Sequence, residues 1–509
     1  MVSRTWGSSS TTKTRSLASA SLLVWALLST ASAQAQVSPG QVPEAQEQGP
    51  LTDTSQGFND GTVAVDGADA DPTAVAKERP GSAPIGVAGF RRGPGFALTE
   101  DGRSRFHVGA DAAMGFDTNP YSQPFQLMLQ QFSGDAVVRV RPNAEINYPG
   151  SLIAFDAQAS LDYGFLPGLL NPGGRNFLLT RGNLGAGLEI NRGGMFSVAV
   201  RDELSAGIDP GFVTVGSTFT RVRNNLVGGV GFRPGGGTLM FKVEGNFLFE
   251  KYFDFLSDIG LNSPSPIQTE LLDNMGFGIS GRVDWRFLPK SGLFAEAGVG
   301  TRFYPFAGQF AAAAPFNFPV FVRGGIMGNF TSKLSGLASI GYANPLTLNP
   351  AGIAGIDTLT FIGLIGQLEL QYRPFELTQI AGGLMRAVQP VPLYQHVTNN
   401  RVYANFSQGI GRSFLVNVNA GYSVLLFGRD LTDPTAPILP VSQSTRLDGH
   451  LDADIRLAYF LFDWLSFGVS NRLDWRLSNA VIRQAAVGGG DVNLSFLRNE
   501  TLLLATVYY

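Results

Sequence analysis

Between Met275 and Phe287 the chain reads MGFGISGRVDWRF, and its character changes at every step. Met275, Phe277, Ile279, Val283, Trp285 and Phe287 fall on one parity, and Gly276, Gly278, Ser280, Arg282, Asp284 and Arg286 fall on the other. A period of two describes a strand with one apolar and one wet face. The tetrapeptide PKSG at 289–292 supplies a tight turn, and alternation resumes over 293–304. The whole stretch predicts a β-hairpin.

The same unit recurs along the chain. Short turns fall at 148–151, 191–194, 233–237, 289–292, 331–333, 373–376, 408–411 and near 461–463. Between them lie longer polar or Pro-rich connections, among them 117–135, 256–270 and 429–444. Eight short turns alternating with nine long connections predict 18 strands, with both ends of the array on the short-turn side. The repeat distance resembles that of propeller blades of roughly 40–45 residues. A blade holds four short strands, however, whereas each unit here holds two long ones.

Strand length decides the class. Residues 275–287, 361–373 and 445–459 alternate for about 13 residues or more, and a tilted membrane strand needs about 9–11. Aromatic residues flank nearly every short turn: Tyr148, Phe196, Phe232, Phe287, Phe330, Tyr372, Phe406, Phe414 and Trp464. Aromatics at one level around a ring form an interfacial girdle. Lipid satisfies no backbone hydrogen bond, so strands cross it only as a closed barrel. The expected fold is therefore all-β, an up-and-down antiparallel transmembrane barrel over 104–509. A soluble secreted β-protein would not account for the asymmetric connections, the girdle and the leader together.

That leader occupies 1–33. Arg4, Lys13 and Arg15 precede an apolar run at 17–28, and ASA at 31–33 suits cleavage after Ala33 or Ala35. This is the pattern of a secretory signal peptide, and the run is too short for a membrane helix of about 20 residues. Residues 34–103 are poor in aromatics and rich in Gly, Ala, Pro, Asp and Gln, a composition that predicts a disordered periplasmic segment. Entry of part of it into the barrel as a plug is the alternative. The expected location is the bacterial outer membrane.

Composition removes several functions. Net charge is −3, so no basic field favours nucleic acid. Charged residues make up 15%, against about 25% in an average domain. The chain has no Cys, which excludes disulfides, thiolate metal sites, thiol catalysis and a lipid-modified cysteine.

A lumen bounded by so many strands is too wide for side chains to fill, and function should lie on the inward parity. The clearest set is Arg446, Asp448, His450, Asp452, Asp454 and Arg456. Others are Lys242 and Glu244; Arg282, Asp284 and Arg286; Glu369 and Arg373; and Arg498 and Glu500. Their signs are mixed. They make either a ladder of cross-strand ion pairs or a rail for a specific substrate. A metal on the His450 series is disfavoured, because same-face neighbours on a strand lie about 7 Å apart. His107 on the first strand and His396 in a loop read as incidental. No nucleophile–base pair stands out, the RPGGG stretch lacks the Lys-Ser/Thr of a phosphate loop, and no enzyme activity or cofactor is expected. No connection looks long enough to fold in as a constriction, so the expected pore is wide and weakly selective.

The last residues, NETLLLATVYY, place Leu503, Ala505, Val507 and Tyr509 on one face. This resembles the C-terminal signal that the barrel-assembly machinery recognises in outer-membrane barrels. The opening strand, RFHVGADAAMGFDTNPY, carries Gly115, Phe116, Asp117 and Asn119. It resembles the start of porin-like barrels that accompany exopolysaccharide biosynthesis, and residues 105–509 resemble the eighteen-stranded polysaccharide-export barrels of myxobacterial type. The resemblance implies a periplasmic polysaccharide-export protein and an inner-membrane copolymerase as partners. Barrels for acidic polymers line their lumen densely with Arg and Lys. The balanced charges here depart from that pattern and suit a neutral or zwitterionic polymer. A general or sugar-selective uptake porin, or a structural barrel, stays open beside export.

Overall fold

The computed structural model describes residues 96–97, 105–120, 134–148, 150, 152–169, 176–191, 194–209, 219–253, 272–288, 290–305, 316–348, 363–375, 377–391, 394–411, 413–428, 446–483 and 491–509. The expected signal peptide lies outside these residues, as does the 34–103 segment except for Phe96–Ala97.

Among the described residues the long strands number 18. They are β1 (Arg105–Asp117), β2 (Asp135–Tyr148), β3 (Ile153–Leu166), β4 (Asn176–Ile190), β5 (Phe196–Asp209) and β6 (Phe219–Phe232). Next come β7 (Leu239–Phe253), β8 (Asn274–Leu288), β9 (Ser291–Phe303), β10 (Val320–Asn329), β11 (Leu334–Asn344) and β12 (Leu364–Phe375). The last are β13 (Thr378–Val391), β14 (Tyr394–Ile410), β15 (Phe414–Phe427), β16 (Leu447–Phe462), β17 (Leu465–Ser478) and β18 (Phe496–Tyr508). Each pairs antiparallel with its sequence neighbours, and β1 pairs with β18 from Gly109↔Tyr508 to Asp117↔Glu500. The sheet therefore closes on itself and leaves no long-strand edge, the condition for a stranded structure in lipid.

The period-two pattern is realised as two surfaces. Val140, Val200, Val243, Ile279, Val322 and Leu503 point outward with 42–58% of their surface exposed. In water such a continuous apolar band would be a liability; in a bilayer it is the contact surface. At the short-turn end Tyr148, Phe196, Phe287, Phe330, Tyr372, Phe414 and Trp464 are exposed and form the girdle. Stacked rings link adjacent strands there: Phe196 with Phe232 at 4.8 Å and Phe232 with Phe241 at 6.2 Å. All eight short turns fall where alternation breaks in the sequence.

One connection on the opposite end departs from expectation. Only two residues separate Val391 from Tyr394, so the connections do not strictly alternate short and long. His396 consequently lies in β14 rather than in a loop. The β13–β14 hairpin also runs past its neighbour: the β12–β13 register begins at Gly366↔Arg386, leaving 387–391 beyond it. The Arg302 Nη1 on β9 donates to the Pro390 carbonyl at 3.1 Å. Four interstrand spacings of about 4.8 Å each separate β9 from β13 along the wall, further than an arginine reaches. The hairpin tip has therefore left the wall and crosses into the lumen. The expectation that nothing folds inward is corrected by this contact: a short, well-paired hairpin reaches into the lumen without any long loop.

Candidate functional site in the lumen

Cross-strand register brings the inward side chains into pairs. On β7, Lys242 Nζ lies 2.6 Å from Glu244 Oε1. On β8, Arg282 Nη2 lies 2.9 Å from Asp284 Oδ1, and Arg282 also faces Glu296 of β9, which binds Arg323 of β10 at 2.8 Å. The Arg282 guanidinium rests 4.3 Å from the Phe294 ring centre. Arg286 and Arg373 lie near the short turns and are exposed. Arg498 of β18 holds Asp117 of β1 at 2.7 Å, and Glu500 pairs with Arg139 of β2.

The β16 series is divided among different neighbours. Arg446, just before the strand, binds Asp448 at 2.8 Å, and Asp448 also takes Arg476 and the Ser478 hydroxyl. His450 Nε2 lies 2.7 Å from Asp474 Oδ1 of β17, whereas Asp452 accepts from Arg401 of β14 at 2.9 Å. Asp454 and Arg456 are half-buried, in register with Arg472 and Ser470. His450, Asp452 and Asp454 therefore do not converge on one point. Ser423, in register with His450, accepts from Arg401 Nη1 at 3.4 Å, so the Ser–His–Asp proximity is occupied by an arginine.

Several contacts pass over an intervening strand, and at two of them glycine makes room. Gly421 of β15 lies between Arg401 and Asp452, and a Cβ there would collide with both. Gly383 of β13 lies between Glu369 and Tyr403, whose hydroxyl donates to the carboxylate at 2.7 Å.

Burial along the lumen is uneven. Toward the long-connection end Asp448 is 0% exposed, Arg446 2% and Glu250 4%, whereas Arg286, Arg373 and Arg472 toward the short turns are exposed. The hairpin tip contributes to this closure: Gln389, Val397 and Asn399 are buried, and Tyr394 packs 4.9 Å from Phe427. Between the tip and the wall lies a mainly apolar cavity of roughly 60 Å³, touched by Phe321, Arg323, Ser339, Gln367, Met385 and Gln389. Part of the inward face is apolar elsewhere too, where Ala113, Val137, Leu166, Leu502 and Leu504 form a buried cluster.

Sequence reasoning missed Arg139, Glu296, Arg323 and Arg401 as partners. Parity alone would have placed them on the inward face, since VVRVR and AEAG alternate like the stretches singled out. Nothing in the sequence pattern points to Arg302 meeting Pro390. The terminal set faces outward: Leu503 and Val507 are exposed, Ala505 half-buried, and Tyr509 lies 4.8 Å from Phe96. Phe96–Ala97 pairs with Arg105 and Phe106, which anchors that ring at the closing seam.

No family model matches the chain, and no curated protein matches it. Among solved structures it is similar to the FrpB iron transporter from Neisseria meningitidis, at 8% identity and a TM-score of 0.39 over 81% of this chain and 82% of that one. It is also similar to the siderophore receptor PirA from Pseudomonas aeruginosa, at 8% identity and a TM-score of 0.36 over 79% of this chain and 80% of that one. Likenesses so distant leave the cargo to be argued from the lumen. Closure, the exposed apolar band and the aromatic girdle define the class directly: this is an outer-membrane β-barrel.

Proposed function

We propose that the channel is a conduit for export of a surface polysaccharide of low net charge. The observation that carries this reading is the mutual neutralisation of the inward charges. Arg282 and Arg323 balance Asp284 and Glu296 in one group, Arg139 and Arg498 balance Glu500 and Asp117 at the closing seam, and Arg401 balances Asp452. A lumen whose charges are already paired offers a polyanion little net attraction, and a polymer of hydroxyls meets no strong field on its way through. A periplasmic export protein and an inner-membrane copolymerase are the partners this reading calls for.

A sugar-selective uptake porin is the second reading, favoured by the hairpin that narrows the lumen at one end. Deleting the gene separates the two. Export requires loss of a surface polysaccharide with normal growth on small sugars. Normal surface polysaccharide with slow growth on one particular sugar would select the porin instead.

A further inference from the structure

The lumen wall is divided into two unlike sectors. Inward register positions on β11, β13 and β15 carry no charged residue, and β12 and β14 add only Glu369, Arg373 and Arg401. Every other long strand has at least one charged residue on its inward parity, and most have two or more. In place of charge, the five-strand sector carries amides and hydroxyls. Register places Gln371, Asn405 and Asn419 in one row, with only Ala381 between the first two, and places Gln379, Ser407 and Asn417 in the row beside it.

These groups are available to a ligand. Asn405, Asn419 and Gln379 make no side-chain hydrogen bond among the described residues, although each is only half-buried and lines the lumen. Gln371 uses its carbonyl to accept from Ser335 at 3.2 Å, which leaves its NH₂ group. An amide offers donors and an acceptor without charge, which matches a hydroxyl in both roles. A carboxylate or guanidinium would have to shed tightly held water to do the same. At its far end the sector passes Gln367 and reaches the cavity beneath the inward hairpin.

We propose that this amide-rich, charge-poor sector is a binding track for the hydroxyl groups of a neutral glycan chain. It rests on the conduit reading above and names the chemical class of its cargo. The test is isothermal titration of maltohexaose into the purified full-length protein in detergent, its folded state verified by heat-modifiable electrophoretic mobility. Hexagalacturonate of the same length serves as the acidic counterpart. Wild-type protein should bind maltohexaose, and bind hexagalacturonate at least tenfold more weakly. The pair Asn405→Leu and Asn419→Leu should weaken maltohexaose binding at least tenfold, and Asn405→Ser with Asn419→Ser should weaken it severalfold with less risk to folding. Gln158→Leu, on the facing wall, should leave it unchanged. The proposal is overturned by absent maltohexaose binding, by equal affinity for the acidic probe, or by substituted tracks that bind as the wild type does. Titration is independent of the cellular test. A gene deletion that spares the surface polysaccharide removes the export reading while a track-dependent affinity stands, and the converse pair of results removes the track alone.

Discussion

Asp448 shows how strongly single positions in the wall depend on one another. It is fully buried between Arg446 and Arg476, so replacing it with Ala leaves two guanidinium groups without their shared partner. Breaking a buried pair from one side costs about 3–5 kcal/mol. Urea unfolding of Asp448→Ala should show a loss of that size, and Asp448→Asn a smaller one because the amide still accepts a hydrogen bond. Gly421 makes the complementary point: Gly421→Leu should separate Arg401 from Asp452 and destabilise the barrel, whereas Ala at exposed Gly245, where a Cβ meets nothing closer than 3.8 Å, should have little effect. Facing can be tested with the same assay. Arg at Val283 or Ile455, on the outward apolar band, should cost about 2–4 kcal/mol. Arg at Ser280, inward and in register with Glu244, should be tolerated, while Gly449 shares the outward face beneath the Tyr422 hydroxyl and should not accept it. Similar unfolding midpoints for all four variants would contradict the assigned faces.

At the scale of elements, the β13–β14 hairpin is the exception to a regular design. Its tip is held to β9 by Arg302, whose other donors are committed to Asn274 and Glu250, and to β15 and β16 by Tyr394, Phe427 and Arg446. Removing the tip should widen the lumen. Single-channel conductance in planar bilayers should rise severalfold when 388–397 is replaced by a two-residue turn, and rise less for Arg302→Ala. Unchanged conductance in the shortened protein would mean that the hairpin does not limit the path. Strand number and the eight short turns were legible in the sequence because each depends on local alternation or on a turn residue. The hairpin was not. No long polar connection marks 378–397, and the bend is set by a contact 88 residues away, between Arg302 and Pro390. The same limit applies to the ion pairs: parity shows which way Asp452 points, but only register shows that Arg401, over a glycine, is its partner.

For the whole molecule, everything depends on the first strand meeting the last. Val108 and Tyr509 exchange backbone hydrogen bonds at 2.8 Å in both directions, with Tyr509 packed on Phe96. Deleting Val507–Tyr509, or replacing Tyr509 with Lys, should block insertion and leave degraded periplasmic material, measured by membrane fractionation and immunoblot. Normal outer-membrane levels of the truncated protein would contradict this. The seam also sets an order of events in time. Each other ladder joins strands adjacent in sequence and can form as the chain emerges, but the closing ladder joins Gly109 to Tyr508. Bringing ends so far apart together costs about 5 kcal/mol in loop-closure entropy, which must be met before that ladder returns any pairing energy. Until that ladder forms the sheet has two bare edges, each able to pair with another unclosed copy. The cell must therefore hold the chain apart from its siblings for the whole of its passage, so yield should fall with expression rate more steeply than stability alone would dictate.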